Sequence, residues 1–227
     1  MIALLDRRPD AAGREALALF GNAPLAARAH VRIRWATCPM PAVAAFVPRA
    51  GRILDVGCGH GLLSAYLALD SAERQVHGVD IDATKIEVAR AAARRSADAF
   101  TADVARPGEL PTGPWDAVAI VDVLYLLDED EQRSLVTACR SVLAPGGVLV
   151  VKEMGTAPQW KARWNLLQET LSVRVLRITA GTSLTFVPPA TVAGWLRDLG
   201  LAVESRRLDH GRLHPHHVLI GRDAADG

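Results

Sequence analysis

Cysteine, lysine and aromatic side chains are all scarce in this chain, and each shortage narrows the reading. Its three cysteines (Cys38, Cys58, Cys139) stand far apart with no CxxC pair. That argues against a disulfide framework or a cysteine-based zinc site and fits a reducing, cytoplasmic setting. No apolar run approaches the roughly 18 residues of a membrane span. Met1 to Asp10 meets Asp6-Arg7-Arg8 after a short apolar start, which does not read as a signal peptide. Only Lys85, Lys152 and Lys161 are lysines, so the 26 basic residues are mostly Arg and balance 25 acidic ones at net +1. With abundant Ala, this suggests a GC-rich bacterial source. A dedicated nucleic-acid binder carries a clear basic excess, which is missing here. There is no internal repeat, low-complexity stretch or linker. Half of the 227 residues are hydrophobic, enough for a packed core, and the length suits one α/β domain with a small cap.

Residues 10–50 read as helical and Ala-rich, ending in Cys38-Pro39-Met40-Pro41. A regular alternation follows. Arg52 to Val56, Gln75 to Val79, Asp98 to Ala102, Trp115 to Val121 and Val148 to Val151 read as buried strands. Leu62 to Leu69, Ala83 to Arg95 and Asp130 to Leu143 read as helices between them; in the last, Leu135, Val136, Cys139 and Leu143 share a face. After Lys152 the rhythm changes: Trp160 to Leu176 and Pro189 to Leu199 read as helices, and Leu201 to Arg207 with His216 to Gly221 as an antiparallel hairpin. Strands and crossover helices at this spacing predict an α/β fold: a doubly wound, mostly parallel seven-stranded sheet with a C-terminal antiparallel hairpin and a helical cap. We expect one domain over 1–227: an N-terminal cap over 1–50, a cofactor-binding core over 51–153, a helical insert over 154–200 and the hairpin over 201–222.

The most informative segment is Ile53-Leu54-Asp55-Val56-Gly57-Cys58-Gly59-His60-Gly61. A strand, three alternate glycines and a helix let a ligand press against bare backbone near helix N-terminal amides. Dinucleotides favour G-x-G-x-x-G, whose third glycine position is Leu62 here, so a nicotinamide-dependent oxidoreductase is disfavoured. Asp80 ends the second strand, where a carboxylate can accept both ribose hydroxyls, and Asp82 suits the cap of the next helix. In Thr101-Ala102-Asp103-Val104, Asp103 could accept from an adenine amino group while Val104 donates its backbone N–H.

The stretches ILDVGCGHG, VHGVDID, TADV, WDAVAIVDVLYLL and LAPGGVLVVKE resemble, in order and spacing, the class I S-adenosylmethionine-dependent methyltransferases. The resemblance is strong over Arg52 to Glu153 and looser through the hairpin. It implies S-adenosylmethionine as cofactor. By the same resemblance Gly57, Cys58, Gly59 and Gly61 line the methionine part and Asp55 orients the loop. Asp80 takes the ribose hydroxyls, Ile81 packs on adenine, and Asp103 with Val104 reads the adenine edge. Asp122 lies where the family bonds the methionine amino group, often through a main-chain oxygen. His60 departs from the smaller residues frequent at its position, and both cofactor contact and a solvent-facing helix start are open to it.

Methyl transfer from a sulfonium needs alignment, exclusion of water and, for an oxygen acceptor, a base. Asp122-Val123-Leu124-Tyr125 lacks the prolines of the Asn/Asp-Pro-Pro-aromatic element found in amide- and exocyclic-amine-methylating relatives. The reading is therefore O- or C-methylation of a small-molecule acceptor, with no nucleic-acid or membrane partner and a homodimer left open. Lys152 and His214 are the catalytic candidates, ahead of Glu153 and His210. Lys152 has an alternative role, an ion pair with Asp122. His214 belongs to a hairpin tip with Asp209, Arg212 and His216, which could equally be an exposed turn. No metal site is expected, because Asp122 has no acidic partner nearby and Asp128 to Glu131 fit the start of a helix. Residues 10–50 and Gly155 to Pro189 are expected to cover the crevice, with Trp35, Trp160, Trp164 and Phe186 as candidate lid aromatics. A member that binds the cofactor without transferring methyl remains a rival, as does an enzyme acting on protein or RNA.

Overall fold

The computed structural model describes residues 8–154, 184–208 and 216–223. Among these, seven strands form one sheet: β1 (Gly51–Val56), β2 (Arg74–Asp80), β3 (Phe100–Val104), β4 (Trp115–Val121), β5 (Leu143–Met154), β6 (Leu201–Arg207) and β7 (His216–Asp223). Their order is β3-β2-β1-β4-β5-β7-β6. The neighbouring pairs among the first five strands are parallel, and β7 runs antiparallel between β5 and β6. The order reverses between β1 and β4, so a crevice opens above their C-terminal ends.

The helices are α1 (Ala11–Leu19), α2 (Leu25–Thr37), α3 (Met40–Ala44), α4 (Leu62–Asp70), α5 (Ala83–Arg95), α6 (Glu129–Ser141) and α7 (Pro189–Asp198). Both faces of the sheet are covered, which is why its central strands read as unbroken apolar runs. On one face Ile53, Val76, Phe100, Ala117, Ala119 and Val150 pack under α4 and α5 with the N-terminal helices outside them. On the other, Leu54, Val79, Val118, Ile120 and Leu149 pack under α6 and α7.

Three sequence expectations shift in detail. The third strand starts at Phe100 rather than Asp98, because Ala97 and Asp98 take positive φ to close α5, and it runs on through Asp103 to Val104. The fifth strand starts at Leu143 rather than Val148: Pro145-Gly146-Gly147 lies within it, opposite a register irregularity between Trp115 and Ala117. Helix α6 starts at Glu129, where Asp128 and Glu131 form a reciprocal capping box.

The expectation that residues 10–50 cover the crevice is corrected for most of that segment. Asp10 caps α1, accepting from the Gly13 N–H at 2.7 Å and from the Tyr66 hydroxyl of α4 at 2.8 Å. Trp35 is buried edge-on against Tyr66, so it serves the core rather than a lid. Buried Arg74 donates to the carbonyls of Pro48, Leu67 and Val47 and to Asp70, tying α4 and the end of the N-terminal segment to β2. From α2, Arg34 reaches Asp122 and the Val121 carbonyl at the end of β4.

Candidate cofactor and acceptor site

Each glycine of the loop has positive φ, but their surroundings differ. A Cβ on Gly57 would lie 2.4 Å from Val123 Cγ2, and one on Gly61 would lie 2.9 Å from Ala89 Cβ. Those two glycines admit neighbouring parts of the protein. A Cβ on Gly59 would meet only Lys85 Cδ, at 4.0 Å, so the space beside Gly59 is left open by the protein itself.

Asp55 points to the α4 side and accepts from Ser64 Oγ at 2.6 Å. Burial, reinforced by nearby Asp80, pushes its carboxyl up to about 6, against the opposing pull of the Ser64 hydrogen bond. Burial also pushes the Cys58 thiol up, so it is a packing group rather than a nucleophile. Asp80 faces the loop: one oxygen accepts from the Gly59 N–H at 2.8 Å and the other from the Asp82 N–H at 2.9 Å. Asp82 caps α5 through the Thr84 and Lys85 amides, as its position in the sequence suggests. Beyond Asp80, Ile81 is 59% exposed and Val104 48% exposed, two of the four large apolar side chains left so open among the described residues. Strand pairing sets Asp80 beside Val104. An open backbone face, a carboxylate and two bare apolar side chains therefore share one strand edge. The Asp103 carboxylate turns onto Arg90 of α5 with His77 nearby.

The end of β4 carries a buried charge cluster. Asp122 has φ 58°, which Asp tolerates better than most residues. Its carboxylate accepts from Arg34 Nη1 of α2 at 2.7 Å and from Lys152 Nζ at 2.5 Å. These two cations hold Asp122 well below the usual carboxylate range, outweighing its burial. Lys152 is fully buried. Its proposed acid–base role is therefore corrected: the ammonium is the structural partner of Asp122. On the opposite face of β5, Glu153 Oε1 accepts from the Val123 and Leu124 amides at 3.1 and 2.9 Å. Burial first, then Asp122, raises Glu153 to about 8.

Residues 53–147 match the family model described as a methyltransferase domain. The chain is 32% identical over 160 residues to a ubiquinone biosynthesis O-methyltransferase of Xanthomonas axonopodis pv. citri, covering 69% of this chain and 65% of that protein. Over this segment the chain is similar to the class I S-adenosylmethionine-dependent methyltransferases. The match thus spans just under two thirds of that relative's length. The fold resembles an O-methyltransferase family protein from Burkholderia thailandensis, with TM-score 0.72 and 22% identity over all of this chain and 67% of the other. It also resembles magnesium protoporphyrin IX methyltransferase from Synechocystis PCC 6803, with TM-score 0.64 and 18% identity over 93% and 94% of the two chains.

The methyltransferase frame has a second layer that sequence motifs did not reveal. Helix α2 brings His30 against His60, ring centroids 4.9 Å apart, one turn from Arg34. Burial, with His60, Arg34 and Lys85 close by, pushes His30 down to about 4; burial and Lys85 also lower His60. His60 is thus packed under α2 rather than facing solvent. Arg34 and His30 are four apart on a predicted helix, and that spacing was the one available signal. Among the aromatics, Tyr125 stacks on Phe186 at 5.5 Å, and the Thr185 N–H donates to the Tyr125 carbonyl. His214, Asp209, His210, Arg212, Trp160 and Trp164 lie outside the described residues.

Proposed function

We propose that this chain transfers a methyl group from S-adenosylmethionine to a hydroxyl or carbon of a small organic acceptor. The observation that carries this reading is the shared strand edge of Gly59, Asp80, Ile81 and Val104. Its shape and polarity suit an adenosine bearing a methionine chain: apolar side chains for the base, a carboxylate for the ribose, bare backbone for the chain. When bound, the cofactor supplies a methyl group already activated on a sulfonium. The protein's part is to hold it, with Gly57, Cys58, Gly59 and Gly61 along the methionine portion and Asp55 bracing the loop through Ser64. Asp122, fixed between Arg34 and Lys152, sets the turn at the end of β4 where the methyl-bearing end belongs.

The similarity to an enzyme named for O-methylation supports a hydroxyl acceptor. With both oxygens engaged by cations, Asp122 is poorly placed to bind a divalent ion, so the reading includes metal-independent transfer. The near-neutral charge supports a small-molecule acceptor over nucleic acid, and no described helix is long and apolar enough to cross a membrane. We place the protein in the cytoplasm and leave a homodimer open.

The test is calorimetric titration with S-adenosylmethionine, S-adenosylhomocysteine and NAD, then release of S-adenosylhomocysteine in the presence of phenolic acceptors. Binding of the first two alone, with acceptor-dependent release, is expected. Binding without release with any acceptor indicates a member that holds the cofactor without transfer. Preferential NAD binding refutes the reading.

A further inference from the structure

Among the described residues, the cluster at the end of β4 leaves its charged groups committed to one another. Lys152 is engaged by Asp122, and Asp122 by two cations. Glu153 stands next to them on β5, and its second oxygen, Oε2, is buried with no hydrogen-bond partner among the described residues. Leaving a buried polar atom unpaired costs about 1–3 kcal/mol, so such an atom in a folded protein calls for an explanation.

Its position supplies one. The groups assigned above to the cofactor occupy the ends of β2 and β3 (Asp80, Val104), β1 (the glycine loop) and β4 (Asp122). The end of β5 is the next position along the same edge, on the far side of β4 from the adenosine groups. Glu153 occupies it, and two backbone amides fix Oε1, so the direction of Oε2 is set by the fold. Strand register places His217 of β7 beside Glu153 and Arg207 of β6 beside His217, forming a polar row at the crevice end of one sheet face. The turn that supplies the two amides continues into Tyr125, stacked on Phe186. A polar row beside an aromatic pair suits a planar acceptor carrying a hydroxyl.

We propose that Glu153 is the general base of the transfer, its Oε2 receiving the hydroxyl proton of the acceptor. The proposal rests on the methyltransferase reading above. As the acceptor oxygen forms its bond to the methyl carbon, the carbon–sulfur bond breaks and its electron pair stays on sulfur, giving a neutral thioether. The O–H proton passes to the Glu153 carboxylate and later to solvent, so no oxidant or further reactant is needed. The charged groups near Glu153 are Asp122 at the end of β4, Lys152 on the opposite face of its own strand, and His217 with Arg207 across the hairpin. A carboxyl raised toward 8 is a stronger base when ionised than an ordinary one.

Glu153→Gln keeps an oxygen for the Val123 and Leu124 amides and removes the base. Wild type and variant are compared in three measurements: calorimetric S-adenosylmethionine affinity, ligand-free stability against pH, and turnover with catechol and 3,4-dihydroxybenzoate. The expected result is unchanged cofactor affinity and a kcat lower by about 10²–10⁴-fold. The wild-type kcat/KM should also rise through about pH 8, a limb the variant lacks. In ligand-free protein, wild type should lose stability relative to the variant as pH rises from about 4.5 to about 8, because a raised carboxyl favours the folded state in its protonated form. Equal turnover and pH profiles in the two proteins would overturn the assignment, as would the absence of any difference in the stability slopes. A wild type that binds the cofactor yet methylates neither probe would overturn the hydroxyl acceptor. A wild type that does not bind the cofactor would instead refute the reading on which this proposal rests.

Discussion

Replacing Gly59 by Ala separates cofactor binding from folding. At Gly59 φ is 55°, a conformation that costs a non-glycine residue about 1–2 kcal/mol. The added Cβ meets only Lys85 Cδ at 4.0 Å, an ordinary contact, so the backbone term is the whole expected loss. For a chain of this size that is a fall in Tm of roughly 2–8 °C. Gly57→Ala has a similar backbone term, and its Cβ also lies 2.4 Å from Val123 Cγ2. Accommodating it requires the turn that carries Asp122 to move, adding an overpacking cost of about 1–3 kcal/mol. The two variants should therefore rank oppositely in two assays. Thermal unfolding should show Gly57→Ala as the less stable. Calorimetric titration should show Gly59→Ala with S-adenosylmethionine affinity reduced at least tenfold despite its milder destabilisation, because its Cβ enters the space left for ligand. Wild-type affinity in Gly59→Ala would refute the placement of the cofactor against this loop. Equal stability of the two variants would refute the packing argument for Gly57.

Asp80→Ala removes a carboxylate that both faces the ribose position and holds the Gly59 amide; S-adenosylmethionine affinity should fall by about 1.5–3 kcal/mol, read by calorimetry. Arg34→Met leaves Asp122 with one cation. Asp122 is depressed in the folded state, so its contribution is present above the usual carboxylate range and lost as pH falls; the variant should unfold at higher pH in an acid titration followed by circular dichroism. Asp55 is raised to about 6, so the opposite sign holds: relative to Asp55→Asn, wild type should lose roughly 2–3 kcal/mol as pH rises from about 4 to above 6, measured by urea unfolding. Arg74→Met breaks buried bonds to four carbonyls and Asp70 and should cost about 3–5 kcal/mol by denaturant titration, with cofactor affinity unchanged.

Periodicity and turn chemistry are local, so the sequence alone determined the strand–helix alternation, the glycine loop and the positions of Asp80, Ile81 and Val104 at strand ends. The parallel sheet followed, because short apolar runs separated by helices leave few other ways to bury both faces. Boundaries that depended on tertiary context moved: the Pro-Gly-Gly stretch became strand because Leu143 pairs with Trp115 across the sheet. Charge partners were the least legible part. Lys152 and Asp122 are 30 residues apart and Arg34 a further 88 before Asp122; which cation meets which carboxylate depends on register and on where α2 crosses the strand ends. Asp103 shows the same limit, its carboxylate drawn to Arg90 on a neighbouring helix. For Glu153, the sequence supplied a carboxyl at the end of a buried strand. Only the fold fixed one oxygen on the Val123 and Leu124 amides and left the other buried and unpaired, because that arrangement is set by the turn after β4 and not by any residue beside Glu153 in the chain.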